Sequence, residues 1–333
     1  MKTVIAIDSF KGSMTSMEAG NAAAAGVKAV FPDAEIVVRP LADGGEGTVE
    51  ALTTGMGGRM ETALVSDPLG RKISASYGIL EKNKTAVIEM AAAAGLPLLS
   101  KEERNPLHTT TYGVGELIRD AIRKGCRHFI VGIGGSATND GGVGMLSALG
   151  FEFLDKSGQP VRNGAAGLAD LAEIRSEHVL PVLKECTFRV ACDVENSLCG
   201  ELGCSSVFGP QKGADEKSIR QMDQWLFSYA QLTKEHFLQA DENCPGAGAA
   251  GGLGFAFQSY LGAARAENPD CIGRDRAGTR DGGRGFCPYR RGQDRRTDCD
   301  GESPCRRGKA REKAWLYGAR FCRSTAGRLY SLP

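Results

Sequence analysis

"HFIVGIGGSATNDGGVGMLSALG", residues 128–150, is the stretch on which the fold of this chain turns. Residues 128–134 make an apolar run, the pattern of a strand buried on both faces. A glycine-rich turn follows and opens a helix. Strand, tight turn and helix in that order are the repeating unit of an α/β protein. Where such a helix opens, backbone N–H groups lack partners and the helix dipole favours an anion. Gly134 and Gly135 let the backbone come close to a phosphate, and Ser136, Thr138 and Asn139 offer caps or further hydrogen bonds. The segment has neither the Lys-Ser/Thr of a P-loop nor the G-x-G-x-x-G of a dinucleotide fold, so neither assignment follows. A strand-to-helix turn without a ligand is the other reading of the same residues.

The same unit recurs on both sides of this stretch. "TVIAID" (3–8), "EIVVRPLA" (35–42) and "TFRVACDV" (187–194) read as strands. "SMEAGNAAAAGVKAVF" (16–31), "GVGELIRDAIRKG" (113–125) and "EKSIRQMDQWLFSYAQLTKEHF" (216–237) read as helices. The alternation predicts a mainly parallel sheet with crossover helices. "PLADGGEGTVEAL" (40–52) puts Asp43 and Glu46 at the carboxyl end of a strand, where open α/β sheets place ligands. Carboxylates beside a phosphate suit Mg²⁺; first-turn acids complementing a helix dipole are the alternative. "AIDSFKGSMT" (6–15) ends a strand at Asp8 and sets Lys11 three residues on, as a counter-charge for phosphate or carboxylate or as a solvated turn lysine. "CDVENSL" (192–198) ends a strand with Asp193, a candidate base or metal ligand. "FGPQKGA" (208–214) presents Lys212 in a Gly/Pro loop. Histidines 108, 128, 178 and 236 share no metal-ligand spacing, and no G-x-S-x-G elbow occurs.

The 333 residues carry a net charge of +1, so no global field argues for nucleic acid or an anionic membrane. No stretch approaches the roughly 20 apolar residues of a membrane span, and the N-terminus lacks a signal-peptide pattern. The expectation is a soluble, cytoplasmic protein. The eleven cysteines are odd in number and scattered, which favours free thiols over a disulfide framework. Composition breaks abruptly near Ala264: residues 265–333 hold fifteen arginines and five of the cysteines, with almost no valine, isoleucine or leucine.

Acids, lysines and Gly-rich anion cradles without a nucleophile elbow point towards phosphoryl transfer, a reaction that needs positioning and charge neutralisation more than covalent chemistry. At this level of detail "DSFKGSMTS", "LADGGEGTVEAL", "RNPLHTTTYGVGELI", "GIGGSATNDGGVGML", "FRVACDVENSL", "FGPQKGA" and "PGAGAAGGLGFAF" resemble, in order and spacing, the bacterial glycerate kinases that phosphorylate the 2-hydroxyl. The resemblance covers roughly residues 1–264. It implies ATP and Mg²⁺, D-glycerate as substrate and 2-phosphoglycerate as product. It also implies an α/β fold of two domains: a Rossmann/flavodoxin-like parallel-sheet domain, split in sequence and begun by residues 1–75, and a central inserted α/β domain over 76–264.

The mechanism expected is in-line attack of the glycerate hydroxyl on the γ-phosphate. Asp43, Glu46 and Asp193 would hold Mg²⁺, with one acid as base; Asp193, Lys11 and Asp43 are the catalytic candidates. Gly134, Gly135, Ser136 and Asn139 would bind phosphate. Arg71 and Lys212 would offset negative charge, with Arg104 and Asn105 either in the pocket or capping the turn before Pro106. The expected partner is the small-molecule substrate, not nucleic acid or membrane, and a homodimer stays open. A nucleotide-dependent oxidoreductase and a non-catalytic anion- or nucleic-acid-binding protein are the alternatives.

Residues 265–333 depart from the resemblance. Where the family continues with a strand and "TGEGRIDGQT", this chain has "RRGQDRRTDCDGESPCRRG" (290–308). Arginine codons carry G in second place, so read one base on they give Gly, Ala, Val, Asp or Glu. From Arg265 the shifted frame can spell a helix, a strand and the missing motif. The tail therefore reads as frameshifted, with disorder expected from its low aliphatic content. Its cysteines make no C-x₂-C pair for zinc. Kinase activity is expected to be weak or lost.

Overall fold

A computed structural model describes residues 2–7, 10, 13–14, 16–40, 49, 53, 56–266, 315–316 and 319–323. Strand β1 (Lys2–Ile7) buries Thr3, Ile5 and Ile7 and exposes Lys2 and Val4 between them, the period of two that a half-buried strand requires. Helix α1 (Ser16–Val30) carries the chain across to β2 (Glu35–Pro40), which lies parallel to β1 with Val38 opposite Ile5. Ile5, Ile7 and Ala19 close a small core with Ala23, Ala24 and Ile36.

The larger layer is built by β3 (Arg59–Ser66), β4 (Lys72–Leu80), β5 (Thr85–Glu89), α2 (Ala91–Ala94), α3 (Tyr112–Arg123) and β6 (His128–Gly132). It continues through α4 (Val143–Ala148), the hairpin β7 (Glu152–Asp155) and β8 (Leu171–Arg175), then β9 (Thr187–Ala191). Helices α5 (Cys204–Phe208), α6 (Glu216–His236) and α7 (Ala249–Leu261) lead to β10 (Ala264–Ala266). The six-stranded sheet runs β10-β9-β6-β5-β4-β3. Strands β5, β6, β9 and β10 are parallel, whereas β3 and β4 are antiparallel, so the sheet is mixed rather than mainly parallel.

The hairpin between β3 and β4 is set by Asp67. Its Oδ1 accepts the N–H groups of Leu69 and Arg71 at 2.8 and 2.9 Å, and Gly70 closes the turn at φ +82°. The boundary expected at residue 75 falls inside β4, whose ladder with β3 and β5 assigns residues 59–80 to the six-stranded sheet.

Both faces of that sheet are covered. Ala86, Ile88, Phe129 and Val131 face the main core, and Phe129 stacks on Phe188 with centroids 4.8 Å apart. Val87 and Ile130 point the other way and pack with Val49 and Leu80. Helix α3 shows why: Val114, Leu117, Ile118, Ala121 and Ile122 recur at helical spacing and are buried, the larger ones worth roughly 1.5–3 kcal/mol each. Helix α6 starts at Asp215, whose carboxylate accepts the Ser218 N–H at 2.8 Å.

Within the tail, β11 (Trp315–Leu316) and β12 (Ala319–Arg323) pair antiparallel, and β12 lies antiparallel beside β1. The rest of residues 267–333, with the disorder expected there, lies outside the described residues. Among the described residues, Cys126, Cys186, Cys199 and Cys204 are free thiols.

Candidate functional site

Parallel strands present their carboxyl ends on one edge, and here Gly132 of β6 stands between Glu89 of β5 and Ala191 of β9. Two residues further, Gly134 and Asp193 both clear this edge. Gly134, Gly135 and Asp193 are exposed, while Ser136 to Asp140 are buried. The loop 134–140 is thus open at its start and sunk into the protein beyond it.

Its peptide planes are fixed from the inside. Leu96 N–H donates to the Gly135 carbonyl at 2.9 Å, Thr109 Oγ1 to the Ala137 carbonyl at 2.8 Å, and Lys212 Nζ to the Thr138 carbonyl at 2.6 Å. In a trans peptide the N–H points opposite to the carbonyl. Holding these carbonyls inward therefore turns the following N–H groups away from their braces. The N–H groups of Gly134, Gly135, Ser136, Thr138 and Asn139 donate no hydrogen bond to any described residue. Gly135 sits at φ +71°, a conformation open to glycine at little cost. A run of unpartnered N–H groups on a curved backbone is a nest for an anion.

Asp140 anchors the inner end. Its carboxylate accepts Thr111 N–H at 2.8 Å, Thr111 Oγ1 at 2.9 Å, Gly142 N–H at 3.1 Å and Gly144 N–H at 3.2 Å. Burial pushes this carboxyl above the usual range, and the four donors pull it back. Asn139 Nδ2 reaches Ser205 Oγ at 2.9 Å, leaving Asn139 Oδ1 and Thr138 Oγ1 buried without a partner among the described residues. From below, Gly141 N–H meets the Gly251 carbonyl at 3.0 Å. Gly251 has φ +68°, and a Cβ there would lie 2.1 Å from the Thr138 carbonyl oxygen, so only glycine lets the α7 segment support the loop so closely.

The residues singled out from sequence are distributed as follows. Gly134, Gly135, Ser136 and Asn139 share the loop, and Asp193 leaves the adjacent strand. Lys212 is 1 % exposed, with its ammonium on the Thr138 carbonyl, so it acts on the loop from behind and does not face the open side as a counter-charge would. Arg71 is committed elsewhere: its guanidinium pairs with Asp67 at 2.6 Å and Glu103 at 2.7 Å, closing the β3–β4 hairpin. Asn105 Oδ1 accepts Leu107 N–H at 3.1 Å and so caps the turn, while the Arg104 Nε is buried with no partner among the described residues. Lys11, Asp43 and Glu46 lie outside the described residues. Val49 donates its N–H to Glu89 Oε1 at 3.0 Å, which sets Val49 at the carboxyl end of β5.

Sequence reasoning missed Asp140, Thr109 and Thr111. Their signal was present: an aspartate followed by two glycines, whose bare N–H groups can crowd one carboxylate, and the run "HTTT". Among the described residues no three His, Cys, Asp or Glu side chains gather as a metal centre. Asp193 contributes one hard oxygen donor, in keeping with Mg²⁺ chemistry.

Burial lowers the Lys212 ammonium from 10.5 to about 8. The unfolded chain therefore holds this proton more tightly, and protonated Lys212 costs the fold about 3 kcal/mol. Stability is expected to rise as pH climbs from about 8 to 10.5, where the unfolded lysine also loses its proton. In urea unfolding, the parent should gain up to about 3 kcal/mol over Lys212→Met across that window. A flat difference would contradict the buried charge.

A model of the "Glycerate kinase family" matches residues 3–275. The chain is 50% identical over 254 residues to a glycerate kinase of Haemophilus influenzae, covering 76% of this chain and 67% of that protein. It is 49% identical over 263 residues to the glycerate 2-kinase of Escherichia coli, covering 79% and 69%. Among solved structures, a protein assigned as glycerate kinase 2 from Salmonella typhimurium LT2 superposes with a TM-score of 0.79 at 44% identity. That match covers 82% of this chain and 73% of the other.

Proposed function

The chain belongs to the glycerate kinase family, and from that premise we propose that it phosphorylates D-glycerate on its 2-hydroxyl, with ATP as donor and Mg²⁺ as counter-ion. It is a phosphotransferase with an alcohol group as acceptor. The observation that carries the finer reading is the set of unpartnered N–H groups at Gly134, Gly135, Ser136, Thr138 and Asn139, at the same sheet edge as Asp193.

In this reading the loop N–H groups hold phosphate oxygens of the nucleotide, where fixed dipoles stabilise charge without reorganising. The glycerate 2-hydroxyl oxygen attacks the γ-phosphorus, the bond to the β-phosphate oxygen breaks, and ADP departs with that electron pair. Asp193 takes the hydroxyl proton. When bound, Mg²⁺ offsets charge on the phosphate oxygens, and Asp43, Glu46 and Asp193 are the carboxylates that would hold it. Lys11 supplies further positive charge. Arg71 would have to leave Asp67 and Glu103 before it could do the same.

The arginine- and cysteine-rich sequence in the tail is expected to depress this activity, since the motif that the resemblance leads one to expect there is missing. A coupled assay of ADP release, with and without D-glycerate, tests both readings in two chains. One is the 333-residue protein; the other carries the shifted-frame sequence from residue 265. D-glycerate should stimulate ADP release in the second, at a rate roughly 100-fold or more above the first. No stimulation in either chain would remove the glycerate reading, and equal rates would remove the frameshift reading. Analysis of the phosphorylated product then distinguishes the 2- from the 3-phosphate. Among the described residues no helix is long and apolar enough to cross a membrane.

A further inference from the structure

We propose that Lys212 is a positioning residue for the phosphate loop, fixing the peptide that joins Thr138 to Asn139 by holding the Thr138 carbonyl from the protein interior. The inference rests on the reading of residues 134–139 as the loop that meets the nucleotide, and it assigns Lys212 a role other than contact with a ligand.

Three observations carry it. First, the side chain is 1 % exposed, and its ammonium ends 2.6 Å from a loop carbonyl 74 positions away in sequence, its one hydrogen-bonded partner among the described residues. Second, that carbonyl belongs to the peptide whose N–H, on Asn139, donates to no described residue, so the lysine sets the direction of a free donor. Third, the placement of Lys212 is itself determined. The turn Gly209–Gly213 is closed by the bonds of Lys212 N–H and Gly213 N–H to the carbonyls of Gly209 and Pro210, and Gly213 at φ +91° packs against the Arg104 carbonyl, which a Cβ would approach to 2.1 Å. A buried lysine with a single hydrogen-bonded partner is a costly way to fill space. Thr109 braces the neighbouring Ala137 carbonyl in the same manner, and Asp140 fixes the residue after Asn139, so Lys212 completes a continuous set of inward ties over 137–140.

The test compares the parent with Lys212→Met and Lys212→Gln. Methionine preserves the apolar stem and removes the donor; glutamine keeps a donor on a chain shorter by one bond. Hydrogen exchange without nucleotide should show the Ala137 and Gly141 amides, which bond Ala94 and Gly251, exchanging about 10-fold faster in Lys212→Met. Calorimetric titration with ATP should show affinity weakened about 10-fold, with KM for glycerate unchanged, and Lys212→Gln should recover part of both losses. Weakened ATP binding with unaltered exchange would mean that Lys212 touches the nucleotide, and overturns the proposal. So would unaltered exchange and binding, or failure of both variants to fold, which would make the residue part of the core alone. The exchange measurement needs no nucleotide. A parent that binds no ATP would therefore count against the functional reading while leaving the brace to be judged on exchange.

Discussion

Asp140→Ala is expected to cost about 4 kcal/mol of folding free energy, a fall of roughly 10 °C in Tm for a fold of this size. The cause is the number of donors that converge on one buried carboxylate. Thr111 contributes its N–H and hydroxyl, and Gly142 and Gly144 their N–H groups, all within 3.2 Å. Alanine leaves these donors without an acceptor and too deep for water, and each stranded group costs on the order of 1–3 kcal/mol before relaxation. Relaxation is limited, because a Cβ at Gly144 would already stand 2.2 Å from Thr110 Oγ1, so the segments cannot close over the gap. Asp140→Asn keeps one oxygen and is expected to lose about half as much. Urea unfolding of the three proteins checks the order. A loss below 1 kcal/mol for Asp140→Ala would show that the donors find other partners.

Asp193→Asn is expected to lower kcat for glycerate phosphorylation by about 10² to 10³, with the KM values for ATP and glycerate within roughly 3-fold of the parent. Asparagine keeps the size and one oxygen of the side chain but cannot take the hydroxyl proton. Asp193 is exposed at the end of β9, so the change leaves the fold intact, and a normal unfolding curve should confirm it. The measurement is best made in the chain with the shifted-frame sequence from residue 265, where turnover is large enough to show the drop. Turnover within 3-fold of the parent would exclude Asp193 as the base. A raised requirement for Mg²⁺ with kcat preserved would leave Asp193 as a metal ligand alone.

Much of the architecture was legible because periodicity reports burial directly. "FIVG" is apolar throughout and lies in a central strand covered on both faces; α3 and α6 followed from their apolar spacing to within a residue or two of their ends. The antiparallel hairpin 59–80 was not read. Its signal is local, an Asp-Pro-Leu-Gly turn between two alternating strands, and it was masked by the stronger strand–helix rhythm around it. Arg71 shows the limit for charged residues: a lone arginine reads as a counter-charge, and only the folded hairpin reveals that Asp67 and Glu103 already satisfy it.

The sequence by itself determined the α/β class, the order of most elements, the compositional break near Ala264 and the family to which the motifs belong. Those are properties of local pattern, and each is written in contiguous residues. Tertiary structure alone decided which way the loop groups face. Lys212, Gly251 and the pair Thr109 and Thr111 come from three segments separate from the loop, and their hold on residues 137–141 depends on how those segments pack. A lysine in a Gly/Pro loop reads the same whether its ammonium meets a phosphate or a backbone carbonyl. Burial distinguishes the two, and burial is a property of the whole fold.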